Sequence, residues 1–135
     1  MPIKLIKAMS KIKFELEISV HASPAMLYQY FATPSGLEEW FADKVNSRGK
    51  VITFFWDDSE EEAKLITKKK DEVVKYKWLE SEDDESYFEF KIQVDPLTKD
   101  VSVVITDFAD DEDSVEEAKM LWENQIDELR HLIGA

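Results

Sequence analysis

Ser114-Val115-Glu116-Glu117-Ala118-Lys119-Met120-Leu121-Trp122-Glu123-Asn124-Gln125-Ile126-Asp127-Glu128-Leu129-Arg130-His131-Leu132-Ile133 is the stretch that decides the fold. Ala118, Leu121, Trp122, Ile126, Leu129, Leu132 and Ile133 recur at helical spacing and predict one broad apolar stripe. Ser114 with Glu117 has the spacing of a capping box, acids cluster at the start, and Lys119, Arg130 and His131 come later, as the helix dipole favours. Gly134 is the expected stop. About 20 residues at roughly 1.5 Å each give a rod of about 30 Å with one greasy side, and such a rod needs an apolar surface to lie on.

The segments upstream supply that surface. Ile12, Phe14, Leu16, Ile18 and Val20 alternate with Lys13, Glu15, Glu17 and Ser19, the period of a half-buried strand. Ser23-Pro24 then predicts a capped helix start through Ala32, Pro34 ends that helix, and Ser35-Gly36 opens a second short one through Phe41. From about residue 43 to 107 the period changes, and strands are expected at Val51–Trp56, Ala63–Thr67, Val73–Leu79, Ser86–Val94 and Val101–Phe108. Asn46 to Gly49, Asp57 to Glu60, Glu80 to Glu85 and Asp95-Pro96 read as turns. Short connections imply antiparallel neighbours. The expected architecture is α+β: a curved antiparallel sheet of six to seven strands around a long C-terminal helix, with two short helices after the first strand.

Charge and composition narrow the partners. Seventeen Lys and Arg face 30 Asp and Glu, a net charge of −13. Phosphate-rich nucleic acid and anionic membrane surfaces are therefore repelled, and Lys68-Lys69-Lys70 reads as a solvated turn. The absence of cysteine removes disulfides, thiolate nucleophiles and zinc–thiolate sites. No segment reaches membrane-spanning length and the first residues do not form a secretory signal, so a cytoplasmic location is expected. Residues 1–10 are expected to be a flexible extension, and 11–135 a single domain.

Two segments carry a family resemblance: Val20-His21-Ala22-Ser23-Pro24-Ala25-Met26-Leu27-Tyr28, leading into Thr33-Pro34-Ser35-Gly36-Leu37-Glu38-Glu39-Trp40-Phe41. Val73-Val74-Lys75-Tyr76-Lys77-Trp78, Val103-Val104-Ile105-Thr106-Asp107-Phe108 and Trp122 extend it. With this element order the chain resembles the START-like (SRPBCC, helix-grip) superfamily, and within it the branch named after the activator of a heat-shock-protein ATPase. The resemblance implies a sheet gripping the last helix, with a wedge-shaped space between them, and it suggests a chaperone cofactor as one role.

Trp40, Phe54, Trp56, Tyr76, Trp78, Phe88, Phe90, Trp122 and Ile126 are the candidates to line that space, with Gln125 to orient a polar atom. Rings of this size also fill ordinary cores. No catalytic residue is expected: His21 sits at a strand-to-helix junction, His131 is accounted for by a helix end, and nothing in their spacing singles out Tyr76 with Glu89 as an acid–base pair. Asp107 to Asp113 lacks the glycine-centred pattern of a calcium loop, so neither a metal nor a cofactor is expected.

The leading reading is a non-enzymatic domain binding a small hydrophobic or amphipathic ligand between sheet and last helix. A protein-interaction module with an acidic surface is the alternative, and a cyclase- or lyase-like enzyme the second. A homodimer would follow if Val51, Thr53 and Phe55 form a second apolar face that a twin subunit covers.

Overall fold

The computed structural model describes residues 11–81 and 85–135. The expected extension at 1–10 and the acidic positions 82–84 lie outside the described residues. Seven strands form one sheet: β1 (Ile12–Ser19), β2 (Lys44–Arg48), β3 (Val51–Trp56), β4 (Ser59–Lys69), β5 (Val73–Trp78), β6 (Phe88–Val94) and β7 (Val101–Ala109). Every pairing is antiparallel. The order β1-β7-β6-β5-β4-β3-β2 shows how the chain runs. After β1 it crosses to the far edge through α1 (Pro24–Ala32) and α2 (Pro34–Trp40), then meanders back until β7 lies beside β1. The last helix, α3 (Val115–Ile133), follows at once.

Period two sorts the strands' side chains. Ile52 and Phe54 of β3, Val74 and Tyr76 of β5, Phe88, Phe90 and Ile92 of β6, and Val103 and Ile105 of β7 are buried on one face. The intervening polar residues face outward. β4 carries a register shift between Leu65 and Thr67 that leaves Ile66 exposed. Such a bulge increases local twist, so the longest strand bends with the sheet.

Five local readings are corrected by the structure. The stretch around Asn46 to Arg48 is strand β2, and only Gly49 and Lys50 make the turn, with Gly49 at φ +63. β4 begins at Ser59, within the expected connector, and continues to Lys69. Pro34 does not merely end the first helix: it opens α2, whose N-cap is Thr33, with Oγ1 accepting from the Gly36 amide at 3.0 Å. Ser114 makes no capping hydrogen bond; Asp111 Oδ1 instead accepts from the Ser114 amide and hydroxyl, both at 2.9 Å, and caps a 3-10 turn (Glu112–Ser114) leading into α3. A carboxylate three residues upstream outcompetes the serine because α3 is entered from that extra turn. Finally, Leu121 and Leu132 are 60% and 46% exposed, so the buried stripe narrows to Trp122, Ile126 and Leu129, with Ala118 and Ile133 packed beside it.

Gly36 lets the two short helices touch. A Cβ there would lie 2.2 Å from the Gln29 carbonyl oxygen, so only glycine permits this approach. At the other end Gly134 adopts φ +74 and closes α3.

Candidate functional site

The inward rings of the sheet meet α2 and α3 in one aromatic cluster. Phe54, Tyr76, Phe88 and Phe90 are fully buried. Phe90 stacks on Phe31 of α1 at 4.5 Å and 8°, and Trp122 of α3 lies 5.6 Å from Phe90 and 5.9 Å from Phe41. Trp78 packs on Phe88 at 4.8 Å, and Trp56 on Phe54 at 5.9 Å. Trp40 completes the wall against Phe31 and Phe90. Every aromatic candidate read from the sequence thus joins one body, and Ile126 is fully buried in the same core. Phe31 was missed as a wall residue, although its place four residues after Leu27 on the apolar face of α1 was its signal.

Three of the polar ring hydrogens inside this body go to backbone carbonyls. Trp40 Nε1 donates to the Tyr30 carbonyl at 2.9 Å, Trp56 Nε1 to that of Phe41 at 3.0 Å, and Tyr76 Oη to that of Phe31 at 2.5 Å. Burial raises the Tyr76 phenol, with Tyr28 adding to the effect. Glu89 alternates onto the opposite face from Phe88 and Phe90, so the Tyr76–Glu89 pair is separated by the sheet itself. His21 is exposed, and His131 Nδ1 lies 2.8 Å from the Asp127 carbonyl on its own helix.

Two concavities reach the cluster. The first, about 370 Å³, is a notch between α2 and α3 where Trp40, Phe41, Trp56 and Gln125 meet under a rim of Glu38, Glu39, Asp43 and Glu128. Trp56 and Gln125 are half-buried there. The second, about 430 Å³, is lined by Trp78, Tyr87 and Phe108 together with Lys11, Glu61, Ser86, Glu80, Asp107 and Asp110. Here Asp107 Oδ2 accepts from Trp122 Nε1 at 2.8 Å, and its Oδ1 accepts from the Phe108 amide at 2.8 Å. Burial raises the Asp107 carboxyl above the ordinary carboxylate range, against the lowering pull of those two donors and of Lys11. Glu61 is raised as well, first by burial and then by the charge of Glu80.

Sequence reading weighed Asp107 only as part of an acidic run and did not single it out, nor the acids of the notch rim as a group. Asp107 had a signal: it follows Val103 and Ile105 on the inward face of β7, where a carboxylate needs partners. The rim had none for Glu128, which only the packing of α2 beside α3 brings to Glu38, Glu39 and Asp43. Among the described residues no group of three His, Asp or Glu side chains is arranged to hold a metal ion, and no helix is long and apolar enough to cross a membrane.

A sheet with two short helices after its first strand and a long helix against its inward face defines a class, and sequence comparison agrees. The family model of the START-like superfamily domain matches residues 8–135, and the chain belongs to that superfamily. The solution structure of BfR322 from Bacteroides fragilis is 34% identical over 93% of both chains, with a TM-score of 0.68. The Aha1 dimer from Colwellia psychrerythraea is 16% identical, over 87% of this chain and 92% of that one, with a TM-score of 0.72. CalU16 from Micromonospora echinospora is 14% identical, over 93% of this chain and 78% of that one, at 0.69. The last two are alike in fold. No functionally curated protein matches the sequence.

Proposed function

We propose that the domain binds, without chemical conversion, a small apolar or amphipathic molecule between the sheet and α3. The entry is the notch over Trp56, with Trp40 beside it and the Gln125 amide positioned for a polar atom of the ligand. Phe54, Tyr76, Trp78, Phe88, Phe90, Trp122 and Ile126 form the wall behind, reached when α3 lifts. The observation that carries this reading is the half-buried Trp56 indole, whose ring continues the buried aromatic body out to the surface. A surface ring backed by an apolar interior and flanked by one amide is the usual make-up of a small-molecule site.

The rim gives the ligand a sign. Glu38, Glu39, Asp43 and Glu128 surround the notch in a chain of net charge −13, so a neutral or cationic molecule is favoured over a carboxylate or phosphate ester. The setting in this reading is cytoplasmic.

The test is quenching of tryptophan fluorescence by matched pairs of aromatic probes that differ only in the charge of one substituent. Saturable quenching by the cationic member, weakened about fivefold in Trp56→Ala, is expected, since one lost aromatic contact removes on the order of 1 kcal/mol. No saturable binding by any probe, or equal binding by Trp56→Ala, would refute the reading.

A second reading, self-association or a protein-partner role, draws on a separate observation. Met120 and Leu121 stand 62% and 60% exposed on the outer side of α3, and the Colwellia relative of the same fold is described as a dimer. The face of Val51, Thr53 and Phe55 is a weaker place for a twin, because Lys44 Nζ lies 5.8 Å from the Phe55 ring centroid and Thr53 faces Glu62. The finer assignment to the heat-shock-ATPase activator branch belongs with this second reading. Sedimentation equilibrium giving a monomer at about 100 μM would remove the self-association version.

A further inference from the structure

The outer face of the sheet carries a charge opposite to that of the chain. Lys64 of β4, Lys75 and Lys77 of β5 and Lys91 of β6 alternate with buried residues along their strands, so they project away from α3. The register gathers them and adds a fifth: Lys64 lies across from Lys77, Lys69 from Val73, and Val73 in turn from Lys91. With strands about 4.8 Å apart and alternate residues about 7 Å apart along each, the five stem from a patch on the order of 15 Å across. A single carboxylate, Glu89 opposite Lys75, stands among them.

Little in the fold neutralises this patch. Among the described residues, Lys64, Lys69, Lys75 and Lys91 reach no carboxylate within 4 Å. Lys75 instead lies 3.9 Å from the Tyr87 ring centroid, and Lys77 Nζ donates to the Ser86 carbonyl. Like charges directly opposite in a ladder, as Lys64 and Lys77 are, destabilise a sheet, and an anion between them offsets that cost. The acids on the solvent side of α3 stand a helix diameter of roughly 10 Å behind the sheet, beyond a screening length of about 8 Å at physiological salt. The overall charge of −13 therefore does not decide what this face attracts.

Size and neighbouring rings select the partner. Glu15 and Glu17 of β1 bound the patch on one side, and Glu60 and Glu62 of β4 on the other. A long polyanion such as nucleic acid would overrun it onto like charge. Tyr87, the ring on which a base would stack, is covered by Lys75, has Lys13 at 6.0 Å, and meets Phe108 edge-on at 5.2 Å. A second copy placed face to face would set lysine against lysine. We propose that the outer face of β4, β5 and β6 docks a short acidic segment of a partner protein, its carboxylates paired with Lys64, Lys69, Lys75 and Lys91. Such complementarity steers the encounter and fixes the register of the bound segment. The surface is separate from the notch over Trp56 and from the outer side of α3.

The test is fluorescence anisotropy of a labelled peptide of about ten residues alternating Glu and Ser, titrated with the full chain at about 50 mM salt. Saturable binding is expected, weakened roughly fivefold or more when Lys64→Gln and Lys91→Gln, both exposed positions, are combined. Lys99→Gln with Lys119→Gln removes the same charge from the β6–β7 loop and from α3, and should weaken binding by less than about twofold. No saturable binding, equal weakening by the two pairs, or tighter binding of a single-stranded oligonucleotide of equal charge overturns the proposal. Should the first pair fail to fold, amide shifts of the wild-type chain decide. Changes on adding the peptide that centre on residues 64–69, 73–77 and 88–91 support the surface, and changes centred on α3 overturn it.

Discussion

The two helical layers on either side of the aromatic body are built differently. Across the nine residues of α1 and seven of α2, Leu27, Tyr28, Phe31, Ala32, Gly36, Leu37 and Trp40 are buried, and the helices approach so closely that no Cβ fits at Gly36. Over its 19 residues α3 buries only Trp122, Ile126 and Leu129. Polar ties supplement it: the Trp122–Asp107 bond, and Arg130, which donates to the Ser19 carbonyl at 2.9 Å and pairs with Asp127. One layer is thus a fixed wall and the other a rod held along a narrow line. In the proposed function, access to the wall comes by movement of the second.

The sharpest way to break this contrast is Phe31→Ala. The ring is fully buried and stacked on Phe90, so its removal should cost about 4 kcal/mol in urea denaturation and loosen the entire domain. A loss under about 1 kcal/mol would mean that the wall is not fixed. Trp122→Phe should cost less, about 1–2 kcal/mol, because most of the packing survives while the Asp107 carboxylate loses its indole donor. Here the effect should concentrate in α3: exchange of its amides accelerates while those of β6 and β7 hold. Uniform acceleration would deny the helix its independence. Smallest of all is Leu121→Gln, within about 0.5 kcal/mol of wild type, since that side chain faces solvent. A drop above about 1 kcal/mol at dilute concentration would show the outer face of α3 to be covered.

The architecture was legible because its signals are periodic. Alternation in β1, β6 and β7 and the i, i+4, i+7 series Trp122, Ile126, Leu129 needed nothing from the rest of the chain. β2 was not legible, because Lys44-Val45-Asn46-Ser47-Arg48 offers one buried residue in five and becomes a strand through its backbone bonds to β3. The stripe of α3 was overdrawn for a geometric reason: Leu121 and Leu132 lie at its margins, beyond the line where the helix meets the sheet. The aromatic set could be read in advance because large rings at inward positions have nowhere else to go. The concavities beside it could not, since Glu128 is distant in sequence from Glu38 and Glu39 and joins them only when α2 packs beside α3.

The outer edge of β2 has consequences for solubility. Among the described residues no further strand pairs its outer side, where the Val45 amide donates instead to Glu38 Oε2 at 2.9 Å; such an edge is the usual template for ribbon growth between molecules. Two copies meeting there antiparallel about Asn46 would set Lys44 against Arg48 of the neighbour at both ends of the ladder. Repulsion between like charges at those positions discourages the stacking of one molecule's sheet onto the next, so the five residues that look least like a strand are also those that keep the sheet finite.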